Sequence, residues 1–284
     1  MKKILFVSAL FLVYAAMVFG QSPVWELSRD GKTLYLGGSV HVLREEDFPL
    51  PAEFSEALEA AEMLVLEADI EQITNPALVQ VMTSRMFLRG TTLKKLLSPG
   101  VFAALEERSR ELGVSMVQLN YLKPMVASSM LSMLQIKKLG FVRQGADVLI
   151  LEQAKEQGKK IAYLESVEFQ LDLLFETGTG YEDEVILYGL DDFDNMEQGL
   201  AEIIGEWRKG ASAYLDLDLA KMKNSFPRIY NAVYLERNNA WIPQIEAYLE
   251  TAETEFILVG YAHLYGSGGL LEQLGKRGVK IRQL

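Results

Sequence analysis

Short apolar segments near both ends of the chain constrain its fold more than any other sequence feature. Runs of four to eight largely apolar residues bounded by turn residues predict buried strands. They fall at residues 33–40, 63–66, 161–164, 256–259 and 279–282. Helical patterns separate these runs, and a long helical block fills the middle of the chain. This order predicts an α/β protein in which a central mixed β-sheet is flanked by helices.

Helix starts are predicted where a capping residue precedes a proline at the first helical position. Asn75-Pro76 and Ser98-Pro99 are such pairs. Further helices are predicted from Pro51 and over residues 147–157, 192–209, 212–223, 227–250 and 270–276. Because no linker, low-complexity tract or repeat interrupts residues 21–284, the sequence predicts a single domain there.

The first twenty residues have the composition of a targeting segment. Lys2 and Lys3 precede an apolar run over residues 4–19, which is followed by the small residue Gly20. This pattern predicts a secretory signal peptide over residues 1–20. The run approaches the roughly 17–25 residues of a membrane helix, so an uncleaved anchor stays open as the alternative. We expect an exported protein, periplasmic or extracellular, with no membrane span after cleavage.

Charge, cysteine content and missing motifs exclude several classes of function. The formal net charge is −11 and no basic stripe offsets it, so nucleic acid is not an expected partner. The chain has no cysteine, which excludes a disulfide framework, a cysteine nucleophile and a zinc–thiolate site. The motifs H-E-x-x-H and G-x-S-x-G are absent, which excludes a thermolysin-type zinc site and a serine-hydrolase elbow.

The two histidines of the chain occupy matching positions. His41 and His263 each follow an apolar run and stand three residues after a glycine, Gly38 or Gly260. A glycine leaves room for backbone or a ligand to approach closely. Ligands of open α/β sheets gather outside the carboxyl ends of the strands, so both imidazoles are expected at one shared site.

Two glutamates and one arginine complete the set of candidate residues. Glu67 follows the apolar run 63–66, and Glu165 follows the run 161–164. Two histidines and one carboxylate form a common ligand set for a divalent metal. Glu165 is open between metal ligand, general base and a residue that orients an imidazole. Arg237, on an otherwise aromatic helix face, is open between a structural ion pair and a catalytic role.

Several motifs, in order along the chain, resemble the TraB/GumN family, which includes the TIKI metalloproteases. The segments LGGSVHVL, LVLEAD and VGYAHLYGSGGLLEQLGKRGVKI resemble its amino- and carboxyl-terminal signatures. Lys123-Pro124, Gly145-Ala146-Asp147, Leu164-Glu165-Ser166 with Gln170, and Glu236-Arg237-Asn238 with Trp241 stand where the family has similar residues. The resemblance covers residues 24–284.

The resemblance implies a fold, a metal and a set of site residues. The fold would be similar to TIKI, erythromycin-esterase-like and haem-binding ChaN-like proteins. His41, Glu67 and His263 would bind a divalent manganese, cobalt or zinc ion. Beyond the resemblance, Glu67, Glu165 and Arg237 are the candidate catalytic residues: Glu67 or Glu165 would transfer the proton, and Arg237 would hold a carbonyl oxyanion or a substrate carboxylate.

Three functions are compatible with these residues. The first is an exported divalent-metal-dependent peptidase or related hydrolase that acts on peptides or proteins. The alternative is a non-catalytic extracytoplasmic protein that binds a peptide, a metal or haem. A third possibility is a structural member of the family that binds no metal. Bound metal without turnover of any peptide would favour the second over the first.

Overall fold

A mixed six-stranded β-sheet forms the centre of the protein in a computed structural model that describes residues 22–69, 71–72, 75–191 and 193–284. The predicted signal peptide lies outside these residues. The strands, including a separate short pair formed by β3 and β5, are β1 Val24–Arg29, β2 Lys32–Ser39, β3 Val42–Leu43, β4 Met63–Leu66, β5 Arg143–Gln144, β6 Lys160–Tyr163, β7 Glu255–Gly260 and β8 Lys280–Gln283.

The order of strands in the large sheet is β6-β4-β7-β2-β1-β8. The pairs β6–β4, β4–β7 and β7–β2 are parallel, whereas β1 is antiparallel to both β2 and β8. A tight turn at Asp30 and Gly31, both with positive φ, joins β1 to β2. Strands from both ends of the chain are therefore neighbours, which confirms the predicted α/β fold with a mixed sheet.

Helices flank this sheet and fill the middle of the chain. They are α1 Ala52–Ala60, α2 Pro76–Arg85, α3 Leu93–Leu96, α4 Pro99–Glu111, α5 Met116–Leu119, α6 Pro124–Lys138, α7 Ala146–Glu156, α8 Val167–Glu176, α9 Glu182–Leu190, α10 Met196–Trp207, α11 Ala213–Ser225, α12 Pro227–Tyr230, α13 Glu236–Tyr248 and α14 Leu270–Lys276. Eight of these described helices and strands have no individually predicted counterpart: the helices α3, α5, α6, α8 and α9 and the strands β1, β3 and β5. Among the described residues, no helix has the length and apolar character needed to cross a bilayer.

Two groups of buried apolar side chains stabilise the fold. The larger group lies around the sheet and includes Phe54, Trp207 and Phe256, all fully buried. The smaller group lies among α3 to α6, α8 and α9 and includes Leu105 and Leu131. Each large apolar side chain that is buried contributes about 1.5–3 kcal/mol of stability, so both groups stabilise the fold. The site described next lies at the edge of the sheet, beside both groups.

Candidate functional site

Four parallel strands bring the predicted site residues to one edge of the sheet. The strands β6, β4, β7 and β2 are neighbours and run in the same direction, so their carboxyl ends lie side by side. His41 follows β2, Glu67 follows β4, Glu165 follows β6 and His263 follows β7. The fold thus gathers these four residues where open α/β sheets place their ligands.

A small space above Gly260 is bordered by three of these side chains. A Cβ atom added to Gly260 would lie 3.2 Å from Glu67 Oε1, 3.5 Å from His263 Cδ2 and 3.6 Å from His41 Nε2. The backbone N–H of Gly260 donates to Glu67 Oε1 at 2.6 Å. The second Gly-x-x-His glycine therefore leaves room on the side where both imidazoles and one carboxylate meet.

Gly38, the glycine of the first Gly-x-x-His motif, has a structural role instead. A Cβ atom at Gly38 would lie 2.5 Å from the ring of Tyr261 and 2.8 Å from Leu264. Its carbonyl accepts a hydrogen bond from Trp207 Nε1 at 2.7 Å. The two motifs match in sequence, but Gly38 makes room for packed side chains of the protein, whereas Gly260 borders the open space.

His41 is oriented by a carboxylate that sequence reasoning did not assign. His41 Nδ1 and Asp147 Oδ2 are 3.0 Å apart, and this hydrogen bond raises the pKa of His41 to about 9. Nε2 of the same ring then points to the space above Gly260. Asp147 stands at the start of α7, where Gly145 must lack a side chain because its Cβ would meet Val40 O at 2.3 Å.

His263 is buried and held on both nitrogens. Nδ1 lies 2.7 Å from Asn238 Oδ1, and Nε2 lies 3.1 Å from Arg237 Nη1. Because guanidinium only donates, Nε2 is the acceptor and the proton sits on Nδ1. Burial lowers the pKa of His263 to about 3, so the ring is neutral. The rings of Tyr234 and Trp241 pack against it at centroid distances of 5.6 and 4.5 Å.

Arg237 connects the two strand-end glutamates. Its Nη2 donates to Glu67 Oε2 at 2.5 Å and to Glu165 Oε2 at 2.9 Å, and its Nε donates to Glu165 Oε1 at 3.0 Å. The guanidinium also lies over the ring of Trp241. The sequence left Arg237 open between a structural ion pair and a catalytic role. The structure contains the ion pair, and it also places the guanidinium at the candidate site.

The charge of Glu67 is stabilised despite its burial. Burial alone would raise the pKa of its carboxyl, but Arg237, the charged His41 and the N–H of Gly260 lower the pKa to about 2. A carboxylate that accepts hydrogen bonds from a guanidinium and a backbone amide is favoured in its ionised form. Glu67 is therefore an anion at neutral pH.

Glu165 serves mainly to hold Arg237. Its oxygens accept hydrogen bonds from Arg237, from Trp241 Nε1 at 3.0 Å and from Gln170 Nε2 at 3.3 Å. Its side chain is only 6% exposed. With its acceptor positions taken, Glu165 has no hydrogen bond to an imidazole. A direct catalytic role of Glu165 stays a prediction.

One π-helical turn precedes the arginine. The segment Asn231–Leu235 lies between α12 and α13, where the sequence predicted one continuous helix over 227–250. A π turn adds a residue to the helical repeat and is frequent at functional sites. Here Tyr230 and Tyr234 precede Arg237 on a buried surface beside His263. The turn therefore lies directly next to the site.

The donor set suits a divalent ion, but its present arrangement does not hold one. Two imidazoles and one carboxylate suit zinc, manganese or cobalt, and metal-binding histidines usually have the far nitrogen hydrogen-bonded, as His41 and His263 do. Within the part of the chain that the structure describes, no group of three or more His, Cys, Asp or Glu side chains is arranged to bind a metal. Arg237 lies against His263 Nε2, the nitrogen that would bind the ion. His263 can join the set only if Arg237 moves.

A cavity of about 140 Å³ opens beside these residues. Its polar lining comes from Ser39, His41, Glu67, Asp147 and Gln170. At roughly 30 Å³ per water molecule, it holds a few waters or the reacting group of a substrate. The cavity and the converging side chains together define the candidate site.

Sequence reasoning missed the side chains that orient the site. Asp147, Asn238 and Gln170 each belong to a motif that carries the family resemblance, yet the sequence assigned none of them a role. The signal was their place in short motifs next to predicted site residues or helix starts. The partners of Asp147 and Asn238 lie 106 and 25 positions away in sequence and become visible only in the fold, whereas Gln170 donates to Glu165, five residues before it.

The fold and this edge of the sheet define an α/β protein with a cluster of histidine, glutamate and arginine at the strand ends. The chain belongs to the TraB/PrgY/gumN family, whose family model matches residues 23–283. It is 25% identical over 258 residues to the uncharacterized protein YbaP of Escherichia coli K12, which covers 89% of this chain and 92% of that protein. YbaP of Shigella flexneri is 25% identical over 245 residues, which covers 84% of this chain and 87% of the relative. No solved structure matches the chain.

Family membership confirms the resemblance at the level of the TraB/PrgY/gumN family. The likeness to TIKI, erythromycin-esterase-like and ChaN-like proteins stays a prediction. So do the signal peptide, the single domain and the metal ligand set.

Proposed function

We propose that the protein is a divalent-metal-dependent hydrolase of peptides or proteins, with its site at His41, Glu67 and His263. The observation that carries this proposal is the meeting of these three side chains around the space above Gly260. Each imidazole has its far nitrogen hydrogen-bonded to an acidic or amide oxygen, which favours its near nitrogen as a ligand. A divalent ion bound there would supply Lewis acidity toward a substrate oxygen.

The residues of the chain would divide the remaining work. Glu67 has an oxygen beside the open space and is placed to accept a proton from an attacking water. Because Arg237 contributes to its low pKa of about 2, this role requires Arg237 to move away from Glu67 as well as from His263. Arg237 can donate to a carbonyl oxygen that gains negative charge, or to a substrate carboxylate. Glu165, itself held by Trp241 and Gln170, would keep the guanidinium beside the site after its contact with His263 Nε2 is broken.

The place of action follows from the predicted signal peptide. We propose that the protein acts outside the cytoplasm, in the periplasm or beyond it. Its substrates would then be extracytoplasmic peptides or unfolded protein segments. The family resemblance supports peptides as the substrate class.

The test is a peptide-library digest with metal-stripped protein to which manganese, cobalt or zinc is added. We expect cleavage that depends on one or more of these ions and is lost in His41→Ala and His263→Ala. Gly205→Ala, on α10, is a matched control because a Cβ there has nothing within 4 Å. Absence of cleavage with every ion would contradict the proposal.

A non-catalytic binding protein for a peptide, a metal or haem is the second candidate. The contact between Arg237 and His263 Nε2 favours binding of a peptide without catalysis, because that contact blocks one position of the metal ligand set. Binding of a peptide, a metal or haem without turnover in the same digest is the result expected for this candidate.

A further inference from the structure

A trough leads away from the candidate site on its helical side. The site cavity and a second cavity of about 280 Å³ share Glu67 and Gln170 as lining residues. The second cavity shares Ser129 and Leu174 with a third cavity of about 380 Å³. The two outer cavities thus form one trough that begins beside Glu67 and Arg237.

Methionines are concentrated along this trough. Of the 11 methionines in the chain, Met125 lines the second cavity, and Met82, Met86, Met130 and Met133 line the third. Met130 and Met133 are three residues apart on α6, and Met82 and Met86 are four residues apart on α2 and its carboxyl-terminal end, so each pair lies on one helix face. Met125 precedes Met130 by five residues on α6. Methionine side chains are flexible and polarizable, so such surfaces adapt to varied apolar groups.

The outer wall of the trough is an exposed apolar surface. The helix α2 contains no buried residue, and its Val79 is 44% exposed. Across from it on α6, Met133 is 54% exposed. Exposed apolar side chains that line a common groove mark interaction sites more often than isolated ones do.

We propose that this trough binds the apolar side chains of a peptide whose scissile bond lies at the candidate site. The proposal rests on the proposed hydrolase function and names its substrate class: peptides with large aliphatic or aromatic residues on one side of the scissile bond. The two outer cavities, of about 280 and 380 Å³, are together within the range of roughly 300–1,000 Å³ that is usual for ligand pockets, which is enough for a few side chains of a peptide.

Polar groups along the trough favour a peptide over a lipid chain. Ser129 and Gln170 line the second cavity and Arg237 lies at its inner end, whereas the third cavity is lined almost wholly by apolar side chains. Hydroxyl and amide groups at intervals can bond the peptide backbone, whereas an acyl chain offers no partner for them. The second cavity therefore has the mixed lining that suits a peptide backbone, and the third suits an apolar side chain of the same peptide.

The experiment measures binding of a fluorescently labelled apolar peptide to the metal-free full chain by anisotropy. Val79→Lys and Met133→Lys place a charge in the trough and are expected to weaken binding about tenfold each, the loss expected when an apolar contact is removed. Leu217→Lys is the matched control, because Leu217 is an apolar side chain on α11 that is 72% exposed and does not line the trough. It should leave binding within about twofold of the unchanged protein.

Peptide binding tests the trough, and peptide cleavage tests the hydrolase function, so the two proposals can fail independently. Binding without metal needs no turnover, so it can succeed where hydrolysis fails. Cleavage of peptides with no preference for apolar residues, unchanged by Met133→Lys, would contradict the peptide-binding role of the trough but not the hydrolase function. Tighter binding of a fatty acid than of every apolar peptide, or a dimer that Met133→Lys dissociates without effect on peptide binding, would also contradict that role of the trough.

Discussion

At the scale of single residues, the two imidazoles of the site differ in charge because their surroundings differ. His41 meets a carboxylate, and its ring side chain is 65% exposed. His263 meets an amide and a guanidinium and is buried. One histidine therefore holds a proton near neutral pH, whereas the other does not.

Asp147→Asn tests the origin of the His41 charge. We expect the pKa of His41 in metal-free protein to fall from about 9 toward the ordinary 6.5, because the hydrogen bond to the carboxylate is its largest cause. A raised pKa contributes stability below pH 6.5 that is lost as the pH rises through 9. The exposure of the ring makes that contribution small. An NMR titration of the ring protons measures the pKa, with His263 as internal control, and an unchanged His41 pKa would contradict the assignment.

Glu67→Gln tests whether the carboxylate is a ligand and a partner of Arg237. We expect metal affinity or turnover to fall by about tenfold or more. We also expect the metal-free protein to lose about 1–3 kcal/mol of unfolding free energy, because Arg237 loses a charged acceptor. A strand-end glutamate seen in sequence alone suggests the opposite sign for stability. The ion pair reverses that expectation.

The pH dependence gives the control for Glu67→Gln. The carboxyl pKa is lowered from 4.5 to about 2, so its stabilising effect is present above pH 4.5 and is lost as the pH falls toward 2. The stability difference between the unchanged protein and the variant should shrink over that window. Denaturant unfolding at several pH values measures this difference. A difference that stays constant with pH would show that Glu67 stabilises the protein through something other than its charge.

Sequence identified four site residues because their position in a strand is a local property. His41, Glu67, Glu165 and His263 each follow an apolar run, and parallel strands bring such positions together. The pairing of His41 with Asp147 spans 106 positions, and no local pattern encodes it. The side chains that orient the site were therefore outside the reach of sequence reasoning.

At the scale of secondary-structure elements, the end of β7 determines whether the site has room for a ligand. Gly260 has φ −55° and ψ 133°, a backbone conformation that alanine adopts without strain. Its lack of a side chain is thus needed for space rather than for backbone freedom. Gly260 can therefore be replaced by alanine without a change in the backbone conformation at the end of β7.

Gly260→Ala should remove metal binding and activity while the protein stays folded. The added methyl would lie 3.2 Å from Glu67 Oε1 and 3.6 Å from His41 Nε2, in the space where a ligand would bind. Calorimetric metal titration and circular dichroism measure the two effects. The control is Gly205→Ala, where the Cβ meets open space. Normal metal binding by Gly260→Ala would place the ligand elsewhere.

Elements with strong local signals were predicted closely, and the others were not. The predicted helix over 270–276 coincides with α14, and the apolar run at 63–66 coincides with β4. The strand β1 escaped prediction because its sequence VWELSR lacks a long apolar run. It is a strand because β2 and β8 pair with it from either side. The π turn before Arg237 likewise reflects tertiary contacts.

At the scale of the whole molecule, two apolar clusters bear on the predicted single domain. One cluster surrounds the sheet and the other lies among the helices of the middle block. The trough and the candidate site lie where these parts meet, since α6 and α8 line cavities that also include Glu67. If the two clusters belong to one cooperatively folding domain, a change in either cluster lowers the stability of the whole protein, including the site.

Leu131→Ala and Ile257→Ala test that coupling. Both residues are fully buried, one in each cluster, and each change should cost about 2–5 kcal/mol. If residues 21–284 form one domain, both variants should unfold in a single transition at a lower temperature. Calorimetry measures this, and two separate transitions, only one of them shifted by each variant, would contradict a single domain.

The most direct test of the account is the position of a bound ion in a crystal grown with cobalt. We predict one anomalous peak beside His41 Nε2 and Glu67 Oε1, in the space above Gly260, with Arg237 displaced from His263 Nε2. Metal–nitrogen distances of about 2.0–2.1 Å to both histidines would establish the shared site. A crystal with Arg237 still bound to His263 and no peak at this edge of the sheet would contradict it.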